Sequence, residues 1–175
     1  IRPKRITEMS EEDFDIVLAV NLKGYFATIR AGAQHLKKQG GAIVNFASPS
    51  GFGHYGMANY SAAKEGVVGM TRSVARELAE FGVRANVIRP ISGPTTMNIP
   101  EVLETLGYAM NVLKIPPLTN QWLGNSGPYG APQNVAAVTA WLCSDLSENL
   151  NGRELYVNGG HIALVQEPEF IRSQF

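Results

Sequence analysis

Tyr60 and Lys64 stand four residues apart at the head of a helix-compatible run, Asn59 to Phe81. Ser48 lies twelve residues before Tyr60, at the end of the apolar run Ala42-Ile43-Val44-Asn45-Phe46-Ala47. A helix brings residues i and i+4 onto one face, with Cβ atoms about 5–6 Å apart. An ammonium beside a phenol favours the phenolate and lowers the tyrosine pKa from its free value of about 10. A tyrosine tuned in this way can act as general acid or base near neutral pH. A serine hydroxyl nearby can hold a substrate oxygen. This is the proton half of a carbonyl–alcohol interconversion by hydride transfer.

Taken alone, the pair is a weak signal, because a half-buried tyrosine and a surface lysine at this spacing arise often by chance. Three neighbours change the weighting. Ser48 falls at the carboxyl end of a strand, where α/β sheets form ligand crevices. Ser61, Ala62 and Ala63 are small, so another surface can approach closely between Tyr60 and Lys64. A further strand ends in Asn86-Val87-Ile88-Arg89-Pro90, with Thr95 and Met97 shortly beyond it.

The elements that must position these residues follow from patterning. Thr7 to Gly40 reads as a helix start and a long helix. Ser10 is its expected N-cap, with Glu11, Glu12 and Asp13 in the first turn, where the helix dipole favours negative charge. Phe14, Val17, Leu18, Leu22, Tyr25, Phe26 and Ile29 form a helical stripe. Ala42–Ala47 reads as a central parallel strand, Pro49 to Gly56 as a glycine-rich loop, and Asn59–Phe81 as a helix closed by Gly82. Val83–Ile88 is a second strand, expected to end at Pro90. Glu101–Leu113 could be helical. Pro132 suits the first position of a helix running to Ser144, and Glu154–Val157 is expected to be the last strand, ended by Gly159-Gly160. Strands alternating with helices predict an α/β architecture with a parallel sheet.

In this order the segments resemble the short-chain dehydrogenase/reductase family. Asn21, in Val20-Asn21-Leu22-Lys23-Gly24, looks like the family's helix asparagine. Ile43-Val44-Asn45-Phe46-Ala47-Ser48 resembles the strand that delivers its serine. Tyr60-Ser61-Ala62-Ala63-Lys64 is its Y-x-x-x-K motif. Val83–Pro90, Pro132–Asp145 and Gly152–Gly160 resemble its later strand, helix and closing strand. The resemblance implies a doubly wound, Rossmann-like parallel sheet and a catalytic tetrad. Tyr60 would be the acid/base, Ser48 would bond the substrate oxygen, and Lys64 would lower the tyrosine pKa and hold the nicotinamide ribose. Asn21 would hold a water linking Lys64 to solvent. It further implies NAD or NADP as cofactor, with Pro90, Gly93 and Thr95 beside it, and a homodimer or homotetramer. That assembly is expected to pair the helices Phe14–Lys38 and Asn59–Phe81. The family's T-G-x-x-x-G-x-G turn and N-N-A-G stretch are not in the chain, and Ile91 stands where the family usually has a glycine. The first βα units, about the adenosine-binding half, are therefore expected upstream of Ile1, which is not an initiator methionine. Residues 1–175 would then be one partial domain.

Gly51-Phe52-Gly53-His54-Tyr55-Gly56 matches G-x-G-x-x-G, but no strand leads directly into it and the following strand ends in Arg89-Pro90. It reads as a flexible loop beside the site rather than a phosphate cradle. Ser50 competes with Ser48 for the serine role, and Ser48 is preferred by its place at the strand end. His54 could touch substrate, although a solvated loop position is the plainer reading. Residues 94–131 are expected to form a substrate lid. Its apolar residues, Trp122 among them, suggest a bulky apolar or acyl-type substrate. Ser50, His54, Met97 and Trp122 are the expected substrate contacts.

Composition narrows the classes. Lys and Arg number 15, as do Asp and Glu, so net charge is zero and a nucleic-acid partner is not indicated. No apolar stretch approaches the ~20 residues of a membrane span. The single cysteine, Cys143, excludes an internal disulfide and fits a reducing, cytoplasmic location. Next to Trp141 and Leu142 it reads as a core thiol. The three histidines are scattered, which does not support a metal site. The competing reading is a non-catalytic partner subunit of a hetero-oligomer, against which the intact Ser48, Tyr60, Lys64 and Asn21 weigh.

Overall fold

The computed structural model describes residues 1–93, 100–114 and 130–167. Expectations placed on Thr95, Met97 and Trp122 lie outside them. Within them the chain forms α1 (Glu11–Leu18), α2 (Gly24–Leu36), β1 (Gly41–Phe46), α3 (Ala58–Leu78), β2 (Val83–Ile91), α4 (Pro100–Asn111), α5 (Pro132–Cys143), β3 (Glu154–Asn158) and β4 (His161–Leu164). The sheet order is β1-β2-β3-β4, with the first three strands parallel and β4 antiparallel to β3.

Helices cover both faces of the sheet, as a doubly wound fold requires. On one face Val68 of α3 packs with Ala47 and Val87, and α1 lies against α3. On the other, Val135, Val138 and Leu142 of α5 meet Ile88, Leu155 and Val157. Strand β2 is almost wholly buried because it sits between neighbours and between layers. No described helix is long and apolar enough to cross a membrane.

The long first helix starts where its cap residue predicts: Ser10 Oγ accepts the Asp13 N–H at 3.1 Å. It is not continuous, however. Ala19–Lys23 forms a π-helical turn, and Asn21 lies in its middle. Such single π turns recur at functional positions. The helix from Ala58 ends at Leu78, and residues Ala79–Phe81 tighten into a 3₁₀ turn.

Three expectations change. Strand β2 continues through Pro90 to Ile91. Its pairing with β1 stops at Phe46↔Ile88, whereas pairing with β3 continues through Pro90↔Val157. The missing proline N–H thus falls beyond the last rung of β1 and breaks no bond there. Gly159-Gly160 does not end the sheet but turns it: Asn158 pairs with His161 across a two-residue loop. Gly159 supplies the positive φ of 59° that such hairpins favour. Cys143 is exposed rather than in the core. Helix α5 buries Val135, Val138 and Leu142, and the residue after Leu142 is turned about 100° away from that stripe.

Candidate active site

Strand β1 and helix α3 bring Ser48, Tyr60 and Lys64 together at the carboxyl edge of the sheet. Ser48 follows β1 in an extended conformation, and its Oγ accepts the Ser50 N–H at 3.2 Å. Tyr60 lies in the first turn of α3, buried beside Val17 and Met57, and the Ser48 side chain acts on its phenol, pulling its pKa down. Lys64 follows one turn later and is only 6% exposed. Its Nζ donates to the Phe46 carbonyl at 3.0 Å and approaches the Tyr25 hydroxyl at 3.5 Å. That ammonium also lies 5.0 Å from the Tyr25 ring centre and 5.6 Å from that of Tyr60. None of the ion pairs among the described residues includes Lys64.

The electrostatics depart from the simple expectation that lysine lowers the phenol's pKa. Burial is the dominant influence on Tyr60 and raises it, the Ser48 hydrogen bond pulls the other way, and Tyr25 adds a further rise. Burial also lowers Lys64 from 10.5 to about 8. A buried ammonium with only a carbonyl and a phenol for company loses its proton more readily than one in water. Burial therefore draws both partners of the proposed relay toward their neutral forms and disfavours the phenolate–ammonium pair.

Asn21 donates to the Val17 carbonyl at 3.2 Å across the π turn, and that turn packs against α3. Ser50 Oγ and His54 Nδ1 are 3.1 Å apart. His54 is not the solvated loop residue of the plainer reading. Its backbone N–H donates to Ser61 Oγ at 3.2 Å, and its Nε2 is buried with no partner among the described residues. Burial lowers its pKa, so the ring is neutral near pH 7. Pro90 lines an apolar groove of about 540 Å³ at the same edge, together with Phe46, Ser92, Val135 and Thr139. The Gly93 N–H donates to the Gly130 carbonyl at 3.1 Å, which ties together the two ends of the segment between them. Inside that segment, Tyr108 of α4 stacks on Tyr55 with ring centres 5.9 Å apart.

Two residues of the site were not singled out from sequence. Tyr25 donates to the Phe46 carbonyl at 2.9 Å and shares that acceptor with Lys64. Its only sequence signal is its place four residues, about one turn, after Asn21. Asn59, fully buried, donates to the Arg2 and Asp13 carbonyls, each at 3.0 Å, and accepts the Tyr60 N–H at 2.7 Å. It fixes the start of α3 to the N-terminal segment and α1. A polar residue immediately before Tyr60 was the available hint.

A doubly wound sheet with a buried tyrosine and a buried lysine one helical turn apart at its carboxyl edge defines a class of α/β proteins. Residues 1–161 match the family described as Enoyl-(Acyl carrier protein) reductase. The chain is 39% identical over 164 residues to the (3R)-3-hydroxyacyl-CoA dehydrogenase of Mus musculus, covering 91% of this chain and 58% of that protein. It is 36% identical over 163 residues to the 3-oxoacyl-(acyl-carrier-protein) reductase of Thermotoga maritima, covering 91% and 61%. A short chain dehydrogenase from Mycobacterium avium superposes with a TM-score of 0.75 at 30% identity, over 100% of this chain and 53% of that one. One from Mycobacterium paratuberculosis, bound to NAD, gives 0.74 at 28%, over 90% and 59%. This chain belongs to the short-chain dehydrogenase/reductase family. It spans about three fifths of the length of the curated relatives it matches.

Proposed function

We propose that the protein is an NAD- or NADP-dependent oxidoreductase that interconverts a secondary alcohol and a ketone on a bulky, acyl-type substrate. One observation carries this reading: the buried Tyr60 phenol, whose pKa the Ser48 side chain pulls down, lies one helical turn from a buried ammonium that has no carboxylate partner among the described residues. The lysine's donor set suits a nicotinamide cofactor. An ammonium carries three N–H donors, and its one short bond here is to Phe46 O, which leaves donors for the hydroxyls of a ribose. Pro90 and the apolar groove beside it offer a flat-sided edge for an aromatic ring; Gly93 and Thr95 belong to the same proposed edge. When bound, such a cofactor supplies or accepts the hydride.

The chain's own residues handle the proton. Ser48 Oγ holds the substrate oxygen, and in the reductive direction Tyr60 gives its phenolic proton to that oxygen as the carbonyl becomes an alkoxide. Lys64 restores the proton to Tyr60, and a water held near Asn21 links Lys64 to solvent. In the oxidative direction each transfer reverses. Ser50, the unpartnered Nε2 of His54, Met97 and Trp122 are the proposed substrate contacts, with residues 94–131 as the lid. The Tyr108–Tyr55 stack, which joins α4 to the loop carrying His54, supports that assignment. The names of the two curated relatives, both acting on acyl thioesters, support the substrate class. Exposed Ile16 on α1, Val20 in the π turn and Phe26 on α2 support pairing of two copies there, and the free thiol of Cys143 suits the proposed cytoplasmic location.

Tyr60→Phe in the whole protein tests the reading, with a 3-oxoacyl thioester and NADH or NADPH followed at the cofactor's absorbance. Removing a general acid costs about 10²–10⁴-fold, so kcat should fall at least ~10²-fold while cofactor binding persists. Turnover within tenfold of the parent would refute the role given to Tyr60.

A further inference from the structure

Arg89 is fully buried in β2, on the face covered by α3, and it is not part of the proton relay. Its Nε donates to the buried Glu154 carboxylate of β3, and Nη2 pairs with Glu65 of α3 at 2.7 Å. Nη1 donates to the Ser48 backbone carbonyl at 2.5 Å, and the guanidinium carbon lies 4.0 Å from the centre of the Phe52 ring. Arg72 of α3 shares Glu154 at 3.2 Å, so two arginines and two glutamates balance in charge. A Cβ on Gly51 would overlap both the guanidinium and the Glu65 carboxylate, so the loop after Ser48 is shaped around this side chain.

One planar group therefore joins the residue that carries the catalytic hydroxyl to the helix position next to Lys64. Only a guanidinium can serve all of these partners, because its five donors radiate in one rigid fork. A pair of strands and a helix could pack here with apolar residues alone. Such packing would leave the Ser48 carbonyl unheld and the loop free to shift. We propose that Arg89 is a positioning residue that locks Ser48 against Tyr60 by clamping the Ser48 carbonyl and α3 through Glu65. The proposal rests on the catalytic reading of Ser48 and Tyr60.

The test uses the whole protein and three variants: R89M/E154Q, which removes the buried pair while keeping charge balance and volume; R89K; and S48A. Tyrosine ring-carbon NMR, with Tyr60 assigned through Y60F, follows the phenol's titration without needing turnover. Because the Ser48 bond pulls the phenol's pKa down, loss of alignment should move the Tyr60 titration to higher pH in R89M/E154Q, in the same direction as S48A. The two changes combined should add little. With a 3-oxoacyl thioester, kcat should fall about 10–100-fold, the cost of a misplacement near 1 Å, with KM changed far less. R89K keeps the charge but not the fork, so it should not rescue kcat. A folded R89M/E154Q or R89K protein with unaltered Tyr60 titration and unaltered kcat, whatever its melting temperature, would make Arg89 a structural ion pair only and overturn the proposal. If the double variant does not fold, R89K is judged by the same two readings. An unaltered protein with no turnover would count against the proposed function, and the titration would still decide the role of Arg89.

Discussion

Lys64 and Arg89 are both buried cations that link α3 to the sheet, yet their surroundings are opposite. Lys64 has a backbone carbonyl, a phenol and two aromatic rings around it. Arg89 has Glu154 and Glu65. The first environment lowers the cation's pKa to about 8. The second sets a guanidinium against two carboxylates. The cation proposed to exchange protons sits where its charge is barely compensated, and the cation proposed to hold geometry sits where it is compensated twice. The contrast fits those two proposed roles.

The largest effect should come from disturbing the compensated cation. Glu154→Leu leaves Arg89 in the core with only the half-exposed Glu65 as counter-charge. Breaking one side of a buried pair typically costs about 3–5 kcal/mol, so urea unfolding should show a loss of that order. A loss under ~1 kcal/mol would mean that water reaches Arg89 and that the two cations differ less than their burial suggests.

Removing the uncompensated cation should do the reverse. Lys64 gives up its proton more easily in the folded chain than in an unfolded one, where lysine titrates near 10.5. Between about 8 and 10.5 the unfolded chain therefore holds more protons, and stability contributed by this site rises with pH across that window. Below about 8 the cost of burying the charge is present in full. Lys64→Met should thus stabilise the protein at pH 7 by about 1–3 kcal/mol, since Phe46 O keeps its bond from Tyr25. The gain should fade as pH rises toward 10.5, while turnover at pH 7 drops by about 10²-fold. Thermal melts from pH 6 to 10.5 measure the first and a kcat determination the second. A variant less stable than its parent at pH 7 would place Lys64 beside Arg89 as a structural cation.

The same contrast explains what could be read from the sequence. Ser48, Tyr60 and Lys64 were legible because strand and helix periodicities carry them to one edge whatever surrounds them. Ser10, Gly82 and Pro132 mark element ends through local backbone chemistry, and the observed ends agree with them. Arg89 was not legible. Before a proline it reads as the end of a strand, and nothing local reveals that Glu65, Glu154 and Ser48 converge on it from 24, 65 and 41 residues away. The direction of the Tyr60 shift failed for a related reason: spacing places a charge near the phenol, but only three-dimensional packing shows that burial outweighs it. Cys143 was misjudged because its apolar neighbours in sequence point to a different side of α5.

Apart from both cations, Asn59 ties the first turn of α3 to residues 2 and 13. Asn59→Ala would remove two part-buried hydrogen bonds, to the Arg2 and Asp13 carbonyls, at about 0.5–1.5 kcal/mol each. Because Tyr60 follows directly, turnover should fall as well, by less than in Tyr60→Phe. Equal loss in both would show that the helix start is as critical as the phenol itself.

The smallest effect should come from Ser10, which caps α1 through the Asp13 N–H. Replacing a serine cap by alanine costs about 1 kcal/mol, and Ser10→Ala should lower the melting temperature by a few degrees on that scale. The cap touches neither cation. It lies at the exposed end of a helix whose only described hydrogen bond to α3 is the Asp13 carbonyl held by Asn59. If that bond transmits order to the site, fraying of α1 should reduce kcat in proportion to the lost stability. If instead Asn59 is held well enough by its bonds to the Arg2 carbonyl and to its own helix start, kcat should be unchanged. The second outcome is expected, because the Arg2 bond and the Tyr60 N–H bond remain in place when Ser10 is altered. A kcat that falls with Ser10→Ala would extend the positioning network beyond Arg89 and out to the first turn of α1.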